Sequence, residues 1–226
     1  MESRIFEQKI EFTEEELFAA LKIPLDDERE ETDIVRDLIE EAQKIARPKT
    51  LWKPLAVEAG EGFVKLDGHT FTEPLIVEKF SSLPVVFAYV NTCGTELDDW
   101  SKLHADPLEE YIADGIKVFY LGKIGAAFHR FLQSEVFEGK TFSSLNPGSL
   151  GAWPISGQVD LFACLGDVEE KIGVTLMPSF LMVPTKSGSG IFFESDGEYH
   201  NCTYCPRITC PNRRAPFSGS TDPVKK

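Results

Sequence analysis

Three cysteines crowd one short stretch near the C-terminus, His200-Asn201-Cys202-Thr203-Tyr204-Cys205-Pro206-Arg207-Ile208-Thr209-Cys210-Pro211. Thiolates held this closely in a reducing compartment suit a metal better than a disulfide. The chain has five cysteines, an odd number, so full internal pairing is impossible. Two metal centres compete for the cluster. Zinc would take Cys202, Cys205 and Cys210 with His200, as a tetrahedral Cys3His site. An iron–sulfur cluster would take the three thiolates and a fourth ligand, either Cys93 or an exchangeable one. Cys164 lies in an apolar helical stretch and reads as a small core hydrophobe.

The cluster sits on a segment of its own charge. Residues 202–226 carry Asp222 against Arg207, Arg213, Arg214, Lys225 and Lys226, whereas residues 2–47 carry 15 acids and 7 bases. A basic, Cys-rich tail on an acidic body reads as an appended module. We place a body at 1–195 and a metal-binding tail at 196–226. The chain is 226 residues long with 42% hydrophobic residues and 17 Phe, enough for a substantial core. Its net charge of −14 argues against nucleic acid, which is held through Lys and Arg. No apolar run approaches the roughly 20 residues of a membrane span, and Met1-Glu2-Ser3-Arg4 lacks the order of a signal peptide. The expectation is a cytoplasmic protein with no membrane partner.

The body must supply the frame. Ile5 to Phe12 reads as a short strand, and Thr13 caps a helix opened by Glu14, Glu15 and Glu16. Ile34, Leu38, Ile39, Ala42 and Ile45 repeat at helical spacing over 33–46. Asp67-Gly68 between Phe63–Leu66 and Thr70-Phe71 predicts a hairpin. Leu75–Val77 reads as a strand, and the dense apolar run Leu83–Val90 as the middle of a sheet. Asp106-Pro107 opens a long helix over 108–137. Gly115, Gly122 and Gly125 within it predict close helix–sheet packing. Residues 139–154 and 184–190 read as loops, 155–172 as one helix closed by Gly173, 174–183 as a strand and 191–193 as a last strand. There is no P-loop, no Gly-x-Ser-x-Gly, no His-Glu-x-x-His and no Gly-x-Gly-x-x-Gly.

Two blocks then stand out: Ser144-Leu145-Asn146-Pro147-Gly148-Ser149-Leu150 and Phe180-Leu181-Met182-Val183-Pro184-Thr185-Lys186-Ser187-Gly188-Ser189-Gly190-Ile191-Phe192-Phe193. Their order, with a helix between them, resembles the activation domain of cobalamin-dependent methionine synthase. The resemblance runs over about residues 30–195 and includes Thr92-Cys93-Gly94. It implies an α+β fold with a bent antiparallel sheet flanked by helices. It implies a ligand site on Ser144, Asn146, Pro147, Gly148, Lys186, Ser187, Gly188, Ser189 and Gly190. It also implies a task, in which the domain covers an oxidised corrinoid while one electron and a methyl group from S-adenosylmethionine restore methylcobalamin.

The family's loop arginine aligns with Ser144, its alanine with Asn146, its tyrosine with Ser149, and a helix glutamate falls near Ala126. Serine cannot make the bidentate contact of an arginine to a carboxylate, so S-adenosylmethionine would not be held in the family manner. The resemblance implies an accessory protein for reductive activation of a corrinoid-binding methyltransferase such as methionine synthase. Cobalamin then belongs to that partner, and a flavodoxin- or ferredoxin-type reductant is a further partner. The alternative is a non-catalytic corrinoid-protein binding module whose tail is stapled by structural zinc.

Overall fold

The structure is a computed structural model that describes every residue except 198, 211, 212, 225 and 226. Lys225 and Lys226, counted above in the tail's charge, lie outside the described residues. The strands are β1 (Arg4–Glu7), β2 (Lys49–Gly60), β3 (Phe63–Leu66), β4 (His69–Phe71), β5 (Val85–Thr92), β6 (Phe142–Leu145), β7 (Thr175–Leu176), β8 (Met182–Val183) and β9 (Ser187–Glu194). The helices are α1 (Glu14–Leu21), α2 (Glu30–Ile45), α3 (Pro74–Phe80), α4 (Thr95–Ser101), α5 (Pro107–Phe131), α6 (Gln158–Leu165) and α7 (Val168–Ile172).

One seven-stranded sheet runs β4-β3-β2-β5-β9-β6, with β1 also paired to β2, and every pairing is antiparallel. The twelve-residue β2 carries β1 on its first four residues and β3 on its last four, while its other edge pairs β5 from Lys49 to Ala56. The α+β architecture expected from the sequence, an antiparallel sheet flanked by helices, is present.

The alternation of each strand sorts two cores. On one face Leu51, Leu55, Val86, Ala88, Val90, Ile191 and Phe193 pack with α3, α6 and α7. On the other, Trp52, Tyr89, Phe142 and Phe192 meet Phe128 of α5 in an aromatic cluster. A third core joins α1, α2, α4 and α5 through Leu17, Leu38, Trp100 and Ile116. Asp106 caps α5 by accepting from the amides of Leu108 and Glu109, with Pro107 in the first turn. Thr13 and Glu16 form a capping box on α1. Among the described residues no helix is long and apolar enough to cross a membrane.

Four sequence expectations are corrected here. Leu75, Ile76 and Val77 lie in helix α3, opened by Pro74, with Leu75, Ile76 and Phe80 buried. The stretch 139–154 contains strand β6. The single helix over 155–172 breaks into a 3-10 turn, α6 and α7, because Gly166 and Asp167 take positive φ of 64° and 49°. Residues 174–183 form the small β7–β8 hairpin, with Phe180 at φ 64° in its turn.

Candidate functional site

The largest correction concerns the second block. Ser187, Gly188, Ser189 and Gly190 are not loop but the first half of β9, between β5 and β6. Gly188 pairs with Asn91 and Gly190 with Tyr89. Both glycines face α5, and the side chains beside them need that bareness. A Cβ on Gly188 would lie 2.6 Å from Asn91 Oδ1, and one on Gly125 of α5 would lie 3.1 Å from Asn91 Nδ2. Around Gly122 a Cβ would meet nothing within 4 Å. Asn91 therefore fills the gap that the bare Gly188 and Gly125 leave between β9 and α5. Tyr89, Asn91, Gly188 and Gly190 lie on the sheet face toward α5, and Gly122 and His129 are exposed on that helix. His129 is set by ring contacts to Phe142 at 4.5 Å and Phe192 at 6.3 Å.

Asn146 is the hub over Gly190. Its Nδ2 donates to the Tyr89 hydroxyl and to the Ser189 carbonyl, both at 2.8 Å. Its Oδ1 accepts from Asn201 Nδ2 at 3.0 Å, with Ser144 Oγ at 3.5 Å. A side chain with two donors and one two-lone-pair acceptor is used in full. A Cβ on Gly190 would strike Asn146 Nδ2 and lie 2.6 Å from the Leu145 carbonyl oxygen.

The other expected site residues divide. Ser189 is buried on the opposite face, where its Oγ donates to Gln158 Oε1 at 3.1 Å. Gln158 Nε2 in turn donates to the Phe180 carbonyl, tying down the β7–β8 hairpin. Ser187 Oγ donates to the Pro184 carbonyl at 2.8 Å. Pro147 is buried, and Gly148 turns the chain at φ 78° where a Cβ would meet Ile155 Cδ1 at 2.8 Å. Lys186 is bound to Asp114 of α5 at 2.9 Å. The structure thus brings Ser144, Asn146 and Gly190 into mutual contact, with Gly188 on the same sheet face, and gives Ser187, Ser189, Pro147, Gly148 and Lys186 contacts of their own around them.

The tail folds back onto this region. Tyr199 donates its amide to Ser143 Oγ at 2.9 Å and stacks on Tyr204, with Lys79 over its ring. Asn201–Tyr204 form a 3-10 turn. The four expected metal ligands, Cys202, Cys205, Cys210 and His200, do not fit a preformed site. The three thiols are free and half-buried, and among the described residues no group of three or more Cys, His, Asp or Glu could hold an ion. A guanidinium organises the segment instead. Arg213 Nη1 donates to the carbonyls of Cys202 and Ala215, and Nη2 to those of Cys205 and Arg207, at 2.7 to 2.9 Å. The neighbouring Arg214 amide donates to Cys202 Sγ at 3.5 Å. Cys93 and Cys164 are buried and their thiols are pushed up to about 12 by that burial, which fits inert core residues.

Sequence reasoning missed Tyr89, Asn91, His129, Asn201, Arg213 and Arg214. Tyr89 carried a signal, as the one hydroxyl inside the apolar run 83–90. Burial pushes the Tyr89 hydroxyl up, partly opposed by the Asn146 hydrogen bond and by the charge of Arg214. Burial and the same Arg214 charge hold His129 below the usual imidazole value, so it is neutral near pH 7.

No family model matches the sequence, and no curated protein matches it. Solved structures do match in fold. One is the MetH reactivation domain bound to AdoHcy, 15% identical, with a TM-score of 0.63 over 88% of this chain and 80% of that one. The chain has the fold of that domain.

Proposed function

We propose that this chain has an accessory role in reactivating a cobalamin-dependent methyltransferase, a methionine synthase or a relative of one. The observation that carries the reading is the fold shared with the MetH reactivation domain. The neighbour's structure holds AdoHcy, and we assign an S-adenosylmethionine-type ligand here to the surface around Ser144, Asn146 and Gly148. Residues 1–195 form the body that covers the partner's corrinoid, and 196–226 form the tail. The reaction consumes one electron from a flavodoxin- or ferredoxin-type reductant and one methyl group from S-adenosylmethionine, leaving S-adenosylhomocysteine.

No electron is routed through the tail, since its sulfurs and His200 do not form a site as placed. The Arg213 contacts favour a structural tail, and so keep the second reading, a non-catalytic binding module, in play. Zinc or an iron–sulfur cluster would have to draw the three sulfurs together. Anaerobic metal analysis with absorption spectra tests for either.

The deciding experiment mixes an oxidised corrinoid methyltransferase with this chain, S-adenosylmethionine and a one-electron reductant. Recovery of methyltransferase activity should need all three. Equal recovery without the chain would reject activation. Docking without any recovery would select the binding module.

A further inference from the structure

The tail holds two of its thiols in a fixed relationship. Cys202 lies in the 3-10 turn Asn201–Tyr204, and the Cys205 amide just after it donates to the Cys202 carbonyl at 3.3 Å. In 3-10 geometry, side chains three residues apart stand one above the other. A hydrogen-bonded turn of four residues keeps its end Cα atoms within about 7 Å. That spacing takes in the roughly 4.4–6.8 Å that a disulfide needs.

A second link sets the same pair independently. Arg213 Nη1 donates to the Cys202 carbonyl and Nη2 to the Cys205 carbonyl, each at 2.7 Å. The planar guanidinium is rigid, so the two carbonyls it binds are fixed with it. Both contacts use backbone oxygens and leave the sulfurs free to react. Cys202 and Cys205 are half-buried, within reach of a small molecule, whereas Cys93 and Cys164 are fully buried. Cys210 belongs to a turn of its own, its amide donating to the Arg207 carbonyl at 3.2 Å. Among the described residues, no third Cys, His, Asp or Glu completes a group that could hold an ion.

We propose that Cys202 and Cys205 are a reversible dithiol–disulfide pair, a thiol-exchange site for a small-molecule disulfide of the glutathione class. Arg207, Arg213 and Arg214 make this stretch basic, which suits a disulfide that carries carboxylates. One cysteine sulfur attacks oxidised glutathione, whose S–S bond breaks to release one glutathione thiol. The other cysteine sulfur then attacks the mixed disulfide and releases a second. Two protein S–H bonds and one glutathione S–S bond become one protein S–S bond and two glutathione S–H bonds, so two electrons pass from the protein to glutathione. Where glutathione keeps thiols reduced, such pairs are transient and redox-sensing. The pair does not depend on the reactivation role above.

The test holds the reduced full chain in buffers stepped from reduced to oxidised glutathione, followed by alkylation and peptide mass spectrometry. Cleavage after Lys186 and Arg207 puts Cys202 and Cys205 on one peptide and Cys210 on another. The 187–207 peptide should lose two hydrogens in one step while Cys210 stays alkylated. Cys210→Ser should form the disulfide to the same extent, and Cys202→Ser and Cys205→Ser should stop at a glutathione adduct. The folded chain should favour the disulfide at least about tenfold over the same chain in urea, because only the folded turn holds the sulfurs together. Equal equilibria in folded and unfolded chain overturn the pair. So does a bridge to Cys210, a lasting glutathione adduct in the wild type, or thiols that stay reduced in excess oxidised glutathione.

Discussion

Asn201 of the tail donates its side-chain amide to Asn146 Oδ1 at 3.0 Å, so one hydrogen bond ties the C-terminal segment to the loop after β6. Asn146 spends its own two amide protons on Tyr89 and Ser189. Replacing Asn201 with Ala removes that tether and leaves Asn146 Oδ1 with only the longer Ser144 contact. We expect a loss of about 1 kcal/mol and faster amide exchange over 199–205, read by hydrogen exchange. Unchanged exchange there would show that the tail is held independently.

Arg213→Lys should be far from conservative. A planar fork reaches four carbonyls at once, and an ammonium cannot. Local stability of the tail should fall by roughly 2–4 kcal/mol, and alkylation of Cys202 and Cys205 should accelerate. The buried Cys93 and Cys164 should stay unreactive in both proteins, which mass spectrometry after brief labelling would read directly.

Gly190→Ala should cost roughly 1–3 kcal/mol, because the added methyl strikes Asn146 and the Leu145 carbonyl, where backbone cannot give way. Gly122→Ala should be neutral or slightly stabilising, since its Cβ meets nothing and Ala is the better helix former. Urea denaturation of the pair separates them.

His129 supplies a pH dependence. Its pKa is lowered in the folded chain, so the unfolded chain takes up the proton first as pH falls. The stability it contributes is present above the unfolded value near 6.5 and is lost as pH drops from there through the lower folded value. An NMR titration should place His129 below 6.5. Arg214→Gln should raise it part of the way back, leaving the share due to burial. No change in that variant would place Arg214 too far away to act.

Much of the frame was legible because local chemistry and tertiary role agreed. Asp106-Pro107 caps α5, Asp67-Gly68 turns β3 into β4, and Thr13 with Glu16 boxes α1. The site was less legible because its residues were chosen for their neighbours. Ser187-Gly188-Ser189-Gly190 has the composition of a loop, yet it is a strand whose glycines make room for Asn91 and Asn146. Leu75–Val77 is apolar, with β-branched Ile76 and Val77 that suit a strand, but Pro74 starts a helix whose short core face takes Leu75, Ile76 and Phe80. Arg213 looked like generic tail charge, and only the folded chain shows four carbonyls converging on it.

The place of β9 in the sheet has a consequence for synthesis. It is an interior strand, hydrogen-bonded to β5 and β6, yet it follows both in the chain, with Phe87 waiting for Phe192. A nascent chain leaving the ribosome before about residue 194 would expose one edge of β5, a template for pairing with other chains. Folding of the whole sheet is therefore held until β9 has been made.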